Sequence, residues 1–288
     1  MKAGARTRVN HHASGMALVA VLWVVAALSI LVSGMAQTVR LQVRVAAGVT
    51  DEAVAAAVGD AAVALALQTL QTAPRNQPQA LTVPVQYAGL PLEVDVMPLN
   101  GLVSLNAAPP VLLAALFEVA GGLPAAQAQA LAQAVAHWRS GRDEAGAMQV
   151  AARRFEAVED LLLVPGMDYA LYARISPLVT ADLRSTSRVN PLAAPLGVLT
   201  VLARGDEALA ASIMARRVAG AVGVDTSALD PSLISPSSTD FYRLTVRVPF
   251  EDGRMLALTR DVALAVYPPR ISPWRTLRVQ RQILAKGA

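Results

Sequence analysis

The stretch HHASGMALVAVLWVVAALSILVSGMAQTVR, residues 11–40, decides the fold. It contains no Lys, Asp or Glu, and its single Arg is its last residue. Met16 to Met35 is a run of 20 uncharged residues, about 30 Å of helix and so about the thickness of a bilayer's hydrocarbon core. A buried helix of a soluble protein is disfavoured, because such helices are rarely apolar all round over this length. A secretory signal is the second reading, with Gly34-Met35-Ala36 as its small-residue cleavage point, although the usual apolar region of such signals is about 7–15 residues. A retained anchor fits best. Lys2, Arg6 and Arg8 precede the run, and no proline occurs before Pro74. Beyond Arg40 and Arg44 the pattern becomes amphipathic, with Val54, Val58, Ala62, Leu65 and Thr69 on one stripe and Asp51, Glu52 and Asp60 off it. The spacing predicts one helix over 16–73, roughly 80 Å long, with 16 to about 36 in the membrane.

Working outward, 54% apolar and 16% charged residues exclude global disorder. The absence of cysteine excludes disulfides, thiolate nucleophiles and Cys-based zinc sites. The net charge of +4 is concentrated at the start: after residue 15 the chain has 22 basic and 21 acidic residues. A body so near neutrality lacks the basic footprint of a nucleic-acid binder. The leader's charge belongs on the cytoplasmic side, which puts the body outside it.

Pro74 to Pro78 reads as a break, followed by alternating runs at 81–87, 91–97 and 102–105. The linkers AGL and LNG join them, Asn100-Gly101 reading as a hairpin signal and Pro84 as an edge-strand marker. From 106 to 235 helical segments dominate, at 109–121, 124–141, 155–166, 168–179, 195–205 and 206–221, several opening on proline or an acidic residue and closing on glycine. Strands return at 240–250 and 254–267, with a turn at Glu251-Asp252-Gly253. The expected fold is α+β: a long N-terminal helix on a small antiparallel sheet built from 74–105 and 236–275, a large all-helical insert over 106–235, and a basic tail over 276–288.

A short basic leader, a glycine and a long helix together resemble type IV pilin-like proteins. That resemblance implies cleavage by a prepilin peptidase between Gly15 and Met16, with residues 1–15 removed as leader and the new amino terminus methylated. The fifth mature position, a glutamate in most of that superfamily, is Ala20 here. The ordered set NGLVSLNAAP, FEAVEDLLLVPGMDYALYARISPLVT, RVNPLAAPLGVLTVLA, DFYRLTVRV and SPWR resembles the type II secretion protein K family, the K-type minor pseudopilins. The resemblance spans Gly15 to about Arg275. It implies an inner-membrane, single-pass subunit with a periplasmic body. Such a subunit joins I- and J-type minor pseudopilins and the inner-membrane secretion machinery, and it caps or initiates a short pseudopilus for protein export. A subunit with nothing above it has no neighbour's amino terminus for a glutamate to pair with. The resemblance also points to calcium in the acidic loop after a tryptophan. Here Asp143 and Glu144 alone stand in that loop, flanked by Arg139 and Arg142. Calcium takes six to eight oxygens, so the expectation is no cofactor, with those two as weak candidates.

Other chemistry finds little support. LLLVPGMDYALYARI resembles a helix-hairpin-helix, whose turn offers backbone N–H groups to phosphate. Its Gly166 is followed by Asp168, however, and Arg174 alone is near. Gly166 is expected to end one helix and start the next. His137 is the single histidine after the leader, and no G-x-S-x-G, H-E-x-x-H or P-loop pattern occurs, so no catalysis is expected. Glu156, Glu159 and Asp160 suit a helix start through the dipole. Trp274, Arg275, Arg278 and Arg281 are candidate partner anchors or a solvated tail. The competing reading is a periplasmic binding or scaffold protein released by signal peptidase, using the helix-hairpin-helix-like block.

Overall fold

The computed structural model describes residues 12–72, 79–141, 153–220, 223–264 and 273–285, with side chains of the first helix described over 18–32 and 48–72. The chain forms two units, one ending at Ala55 and the other starting at Ala56. Helix α1 runs from His12 to Thr72. Without proline and rich in alanine, it keeps its ladder, and Ser29 turns its hydroxyl onto the Val25 carbonyl at 2.8 Å. That bond leaves no polar group of Ser29 unanswered in an apolar stretch.

After α1 the second unit contains, in chain order, β1 (Leu81–Tyr87), β2 (Leu90–Pro98), β3 (Val103–Ser104), α2 (Pro110–Ala115), α3 (Ala125–Ser140), α4 (Tyr169–Ile175), β4 (Val179–Thr180), α5 (Leu196–Leu202), α6 (Glu207–Val218), β5 (Phe241–Pro249), β6 (Met255–Ala263) and β7 (Arg275–Leu284). Five strands form one antiparallel sheet in the order β1-β2-β5-β6-β7. The helical block is inserted between β2 and β5. The fold is therefore α+β, a long amino-terminal helix and a small antiparallel sheet interrupted by a helical domain.

Alternation explains the sheet. In β2 the buried residues are Leu92, Val94, Val96 and Pro98, and in β5 they are Tyr242, Leu244, Val246 and Val248. Register places Val94 opposite Val246 and Val246 opposite Leu258, so one face is continuous and apolar. From Ala56 onward α1 covers that face with alanine and glycine interleaved with valine and leucine. Gly59 lies so close that an added Cβ would meet Leu258 Cδ2 at 3.1 Å. Asp60 accepts from Arg260 of β6 and, at 3.4 Å, from Arg281 of β7.

Four expectations need correction. Of the stripe on α1, Val58 and Ala62 are buried, but Val54, Leu65 and Thr69 are exposed. The buried face is Ala56, Val58, Gly59, Ala62, Val63, Ala66 and Leu67, because alanine and glycine admit the closest approach to a sheet. Asn100-Gly101 is no hairpin tip; it ends a buried 3₁₀ turn over Leu99–Gly101. The run at 102–105 is not in the main sheet. Its Val103 and Ser104 pair in parallel with Val179 and Thr180, making a separate two-stranded ribbon within the helical block. Finally, 276–288 is no free tail. Most of it is β7, paired with β6 from Met255–Leu284 to Ala263–Arg275. An edge strand with both faces largely wet carries no alternating apolar signal to read.

The block's helices are shorter than expected. The segment 109–121 is α2 followed by a π turn over Leu116–Ala120, and 155–166 is a 3₁₀ segment over Val158–Leu163. Their core is leucine-rich, with Leu112, Leu113, Leu116, Phe117, Leu161 and Phe155 essentially inaccessible. Burial of each such side chain stabilises the block by roughly 1.5–3 kcal/mol.

Candidate functional site

The first candidate surface is on α1. From Leu18 to Val32 the helix has no charged residue, and its large side chains all point outward, Leu18 at 73% and Trp23 at 71% exposure. Such a surface is out of place in water and at home in lipid. Ala20 lies exposed in this run. Among the described residues the later segment Gly48–Thr72 is long and apolar enough to cross a membrane by length and composition, whereas Leu18–Val32 is a shorter apolar stretch. The later segment differs in carrying Asp51, Glu52 and Asp60, and its apolar side from Ala56 onward is already committed to the sheet. Of the two, Leu18–Val32 is the one whose apolar surface is uncovered, which is consistent with a membrane anchor. Gly15 and Met16 lie in the helical backbone of α1.

The second candidate is the start of the helical block, where polar side chains stitch remote segments together. Asn100 donates to the Ser237 carbonyl at 2.8 Å, and Asn190 reaches the same oxygen at 3.2 Å. The Asn190 amide donates to the Asn100 carbonyl at 2.7 Å. Ser104 donates to the Leu183 carbonyl at 2.6 Å. Asn106 donates to the carbonyls of Phe155 and Ala181 at 2.9 and 2.7 Å and accepts from the Phe155 amide at 3.0 Å. Buried amides and hydroxyls are tolerated when satisfied in this way. The motif NGLVSLNAAP is thus a row of fasteners, and Asn190 of RVNPLAAP is the matching one. Gly101 completes the joint, since a Cβ there would stand 2.6 Å from the Ala193 carbonyl carbon.

Two arginines serve the same end through main-chain carbonyls. Arg139 donates to the carbonyls of Leu105 and Ala108 at 3.1 and 2.9 Å. Arg217 donates to those of Pro191 and Ala194 at 3.1 and 2.7 Å. Burial lowers the pKa of both guanidinium groups from its ordinary value. Trp138 beside Arg139 stacks on Phe155 at 6.4 Å between centroids, and the Arg153 guanidinium sits 5.1 Å from its ring.

Charge then joins the block to the sheet. Arg243 of β5 holds Asp261 of β6 through two bonds of 2.8 Å, with Asp261 at 1% exposure. Asp182, from the block, titrates above the ordinary carboxylate range, first because of burial and then because of Asp261. Arg278 of β7 bonds Glu159 at 2.6 Å.

The remaining expected residues fall into structural places. Gly166 has φ +90° in the turn before α4, whose N-cap is Asp168, accepting from the Leu171 amide at 2.7 Å. Asp160 accepts from the amides of Glu156 and Ala157 at 2.8 and 3.1 Å. Among the described residues no group of three or more His, Asp or Glu could hold a metal. Asp143 and Glu144 lie outside the described residues. Sequence reasoning missed the Arg243–Asp261 pair and the fastening asparagines. The available signal was single polar residues embedded in apolar runs.

Comparison with known proteins bears on both surfaces. Residues 97–182 match the family model described as type II secretion system (T2SS), protein K. That span contains Asn100, Ser104, Asn106 and the turn at Gly166. Among solved structures, the chain resembles one in the GspK-GspI-GspJ complex of the type 2 secretion system from enterotoxigenic Escherichia coli. The TM-score is 0.51 at 19% identity, covering 77% of this chain and 94% of that one, a likeness of fold. No curated protein matches.

Proposed function

We propose that this member of the type II secretion system protein K family, the family to which residues 97–182 belong, is a minor pseudopilin that initiates or caps a short periplasmic pseudopilus. Its partners in this reading are I- and J-type minor pseudopilins, as in the complex whose chain it resembles. The observation that carries the reading is the exposed, charge-free apolar run Leu18–Val32 on the same chain as the protein K domain. The run would hold the subunit in the inner membrane, with the basic leader cytoplasmic and the body periplasmic.

The mechanism is assembly by helix packing, with no reaction catalysed by this chain and no cofactor taking part. Ala20 supports a terminal position, since an unpaired carboxylate at that depth in lipid would cost several kcal/mol (about 2.5–3.5 on insertion scales). Prepilin peptidase would cut after Gly15, and the new terminus at Met16 would be methylated.

Intact mass of the protein recovered from membranes tests the proposal. Loss of residues 1–15 with one added methyl group, and co-purification with I- and J-type subunits, are the expected results. Loss of about 36 residues with release into the soluble fraction would overturn it in favour of a signal-peptidase substrate.

A further inference from the structure

The sheet's two edges are built differently. Edge strand β1 has seven residues and carries Pro84 at its middle. Prolines, charged side chains (lysine above all), bulges and shortness are the usual devices that stop an edge from recruiting another strand, and a row of one charge sign repels a strand of the same sign but not one of the opposite sign. At the other edge, β7 has ten residues, RTLRVQRQIL, with neither proline nor lysine. Its one register shift lies opposite Asp261/Val262. From Arg278 to Leu284 the pairing with β6 is regular, a straight run of about 23 Å. Among the described residues, no strand pairs with the outer side of β7. Val279 and Ile283 on this strand are 45% and 42% exposed.

The charge on β7 narrows the partner. The strand holds Arg275, Arg278 and Arg281 and no acidic residue. Arg278 and Arg281 reach back to Glu159 and Asp60 while remaining partly exposed, and Arg275 is exposed. A second copy of β7 would bring three arginines against three, and like charges facing across strands are destabilising. An extended acidic strand suffers no such penalty and gains both main-chain bonds and charge pairing.

We propose that β7 is a docking edge that accepts an extended, acidic segment of another polypeptide as a sixth strand of the sheet. The proposal depends on the edge alone and not on the pseudopilin assignment. It is tested with the full-length chain in uncharged detergent micelles and a labelled, end-blocked octapeptide of alternating Glu and Val. One control carries the same side chains with every backbone nitrogen methylated; the other replaces Glu by Lys. The acidic peptide is expected to bind and to slow amide exchange over residues 278–284. Both controls should be at least roughly tenfold weaker. Arg275→Glu, at an exposed position, should weaken the acidic peptide roughly fivefold. Equal binding of the methylated peptide would mean charge attraction without strand pairing, and would overturn the proposal. So would equal binding of the Lys peptide, slowed exchange confined to other segments, or no binding at about 1 mM peptide.

Discussion

Gly101→Ala should strongly destabilise the joint at the start of the helical block. The backbone at Gly101 is not in the left-handed region, so alanine is conformationally acceptable there, and the effect isolates packing. The new Cβ would lie 2.6 Å from the Ala193 carbonyl carbon, 2.7 Å from its oxygen and 2.8 Å from the Ala194 nitrogen. These are main-chain atoms, which cannot swing aside as a side-chain tip can. Restoring normal separation requires the 99–101 turn to retreat from 193–194 by about 1 Å. That retreat stretches the 2.7 Å bond from the Asn190 amide to the Asn100 carbonyl and the 2.8 Å bond from Asn100 to Ser237. Overpacking costs roughly 1–3 kcal/mol, and weakening two buried bonds adds about 1–2 kcal/mol. The expected destabilisation is about 3 kcal/mol, with a thermal midpoint lower by roughly 6–12 °C for a domain of this size. The assay is thermal unfolding of the full chain in detergent, followed by circular dichroism. Gly48→Ala is the control: nothing lies within 4 Å of its added Cβ, and it sits in α1, where alanine is favoured over glycine by up to about 1 kcal/mol. If Gly101→Ala melts within about 1 °C of the parent, a shift worth less than roughly 0.5 kcal/mol, the account of this joint is wrong.

Asp261→Asn should cost about 3–5 kcal/mol by leaving Arg243 buried without its charge partner, read from the urea midpoint. In that variant the Asp182 carboxyl should titrate closer to its ordinary range, measurable by carbon-13 NMR, because Asp261 helps to raise it. Asp182 itself is a carboxyl whose folded pKa lies above its unfolded one, so the folded state binds the extra proton. Its contribution to stability falls as pH rises from the unfolded pKa through the folded one, and Asp182→Asn should flatten that slope without loss of stability at neutral pH. Arg139→Lys should destabilise by roughly 1–2 kcal/mol in thermal unfolding, since one ammonium cannot reproduce a planar fork reaching the carbonyls of Leu105 and Ala108. Chelation with EDTA should leave the thermal midpoint unchanged, since Asp143 and Glu144 are the two acidic residues in the candidate calcium loop and calcium takes six to eight oxygens; a fall of several degrees would refute this.

Much of this fold was readable because period and punctuation are local. The uncharged run, the missing prolines and the strand alternation at 91–97 and 240–250 dictated α1 and the centre of the sheet. Ala88-Gly89, with φ of 50° and 78°, made the tight turn between β1 and β2 that the AGL linker suggested. What escaped was set by distant partners. Asn-Gly is a hairpin signal only when nothing else needs the glycine, and here Ala193 and Ala194 do. The β3–β4 ribbon joins Val103 to Val179 across a whole set of helices, and two-residue strands leave no period to detect. On α1, the three-and-four spacing picked Val54 and Leu65, while the buried face mixes Ala56, Gly59, Ala62 and Ala66 with Val58, Val63 and Leu67.

The same contrast holds within the matched family span, 97–182. Three of its polar side chains are spent inside the fold: Asn100, Ser104 and Asn106 each bond a carbonyl from a segment remote in sequence. An inserted block has two covalent links to its host, and short helices joined by long connections do not fix their own arrangement. Directional bonds from a single strand–turn segment supply that definition, because each accepts one partner geometry whereas leucine packing accepts several. The bond that Arg278 of β7 donates to Glu159 of the block, and Asp182 of the block beside the Arg243–Asp261 pair, then set the block against the sheet. These contacts give the block a fixed arrangement on the sheet, and its buried polar residues are placed accordingly.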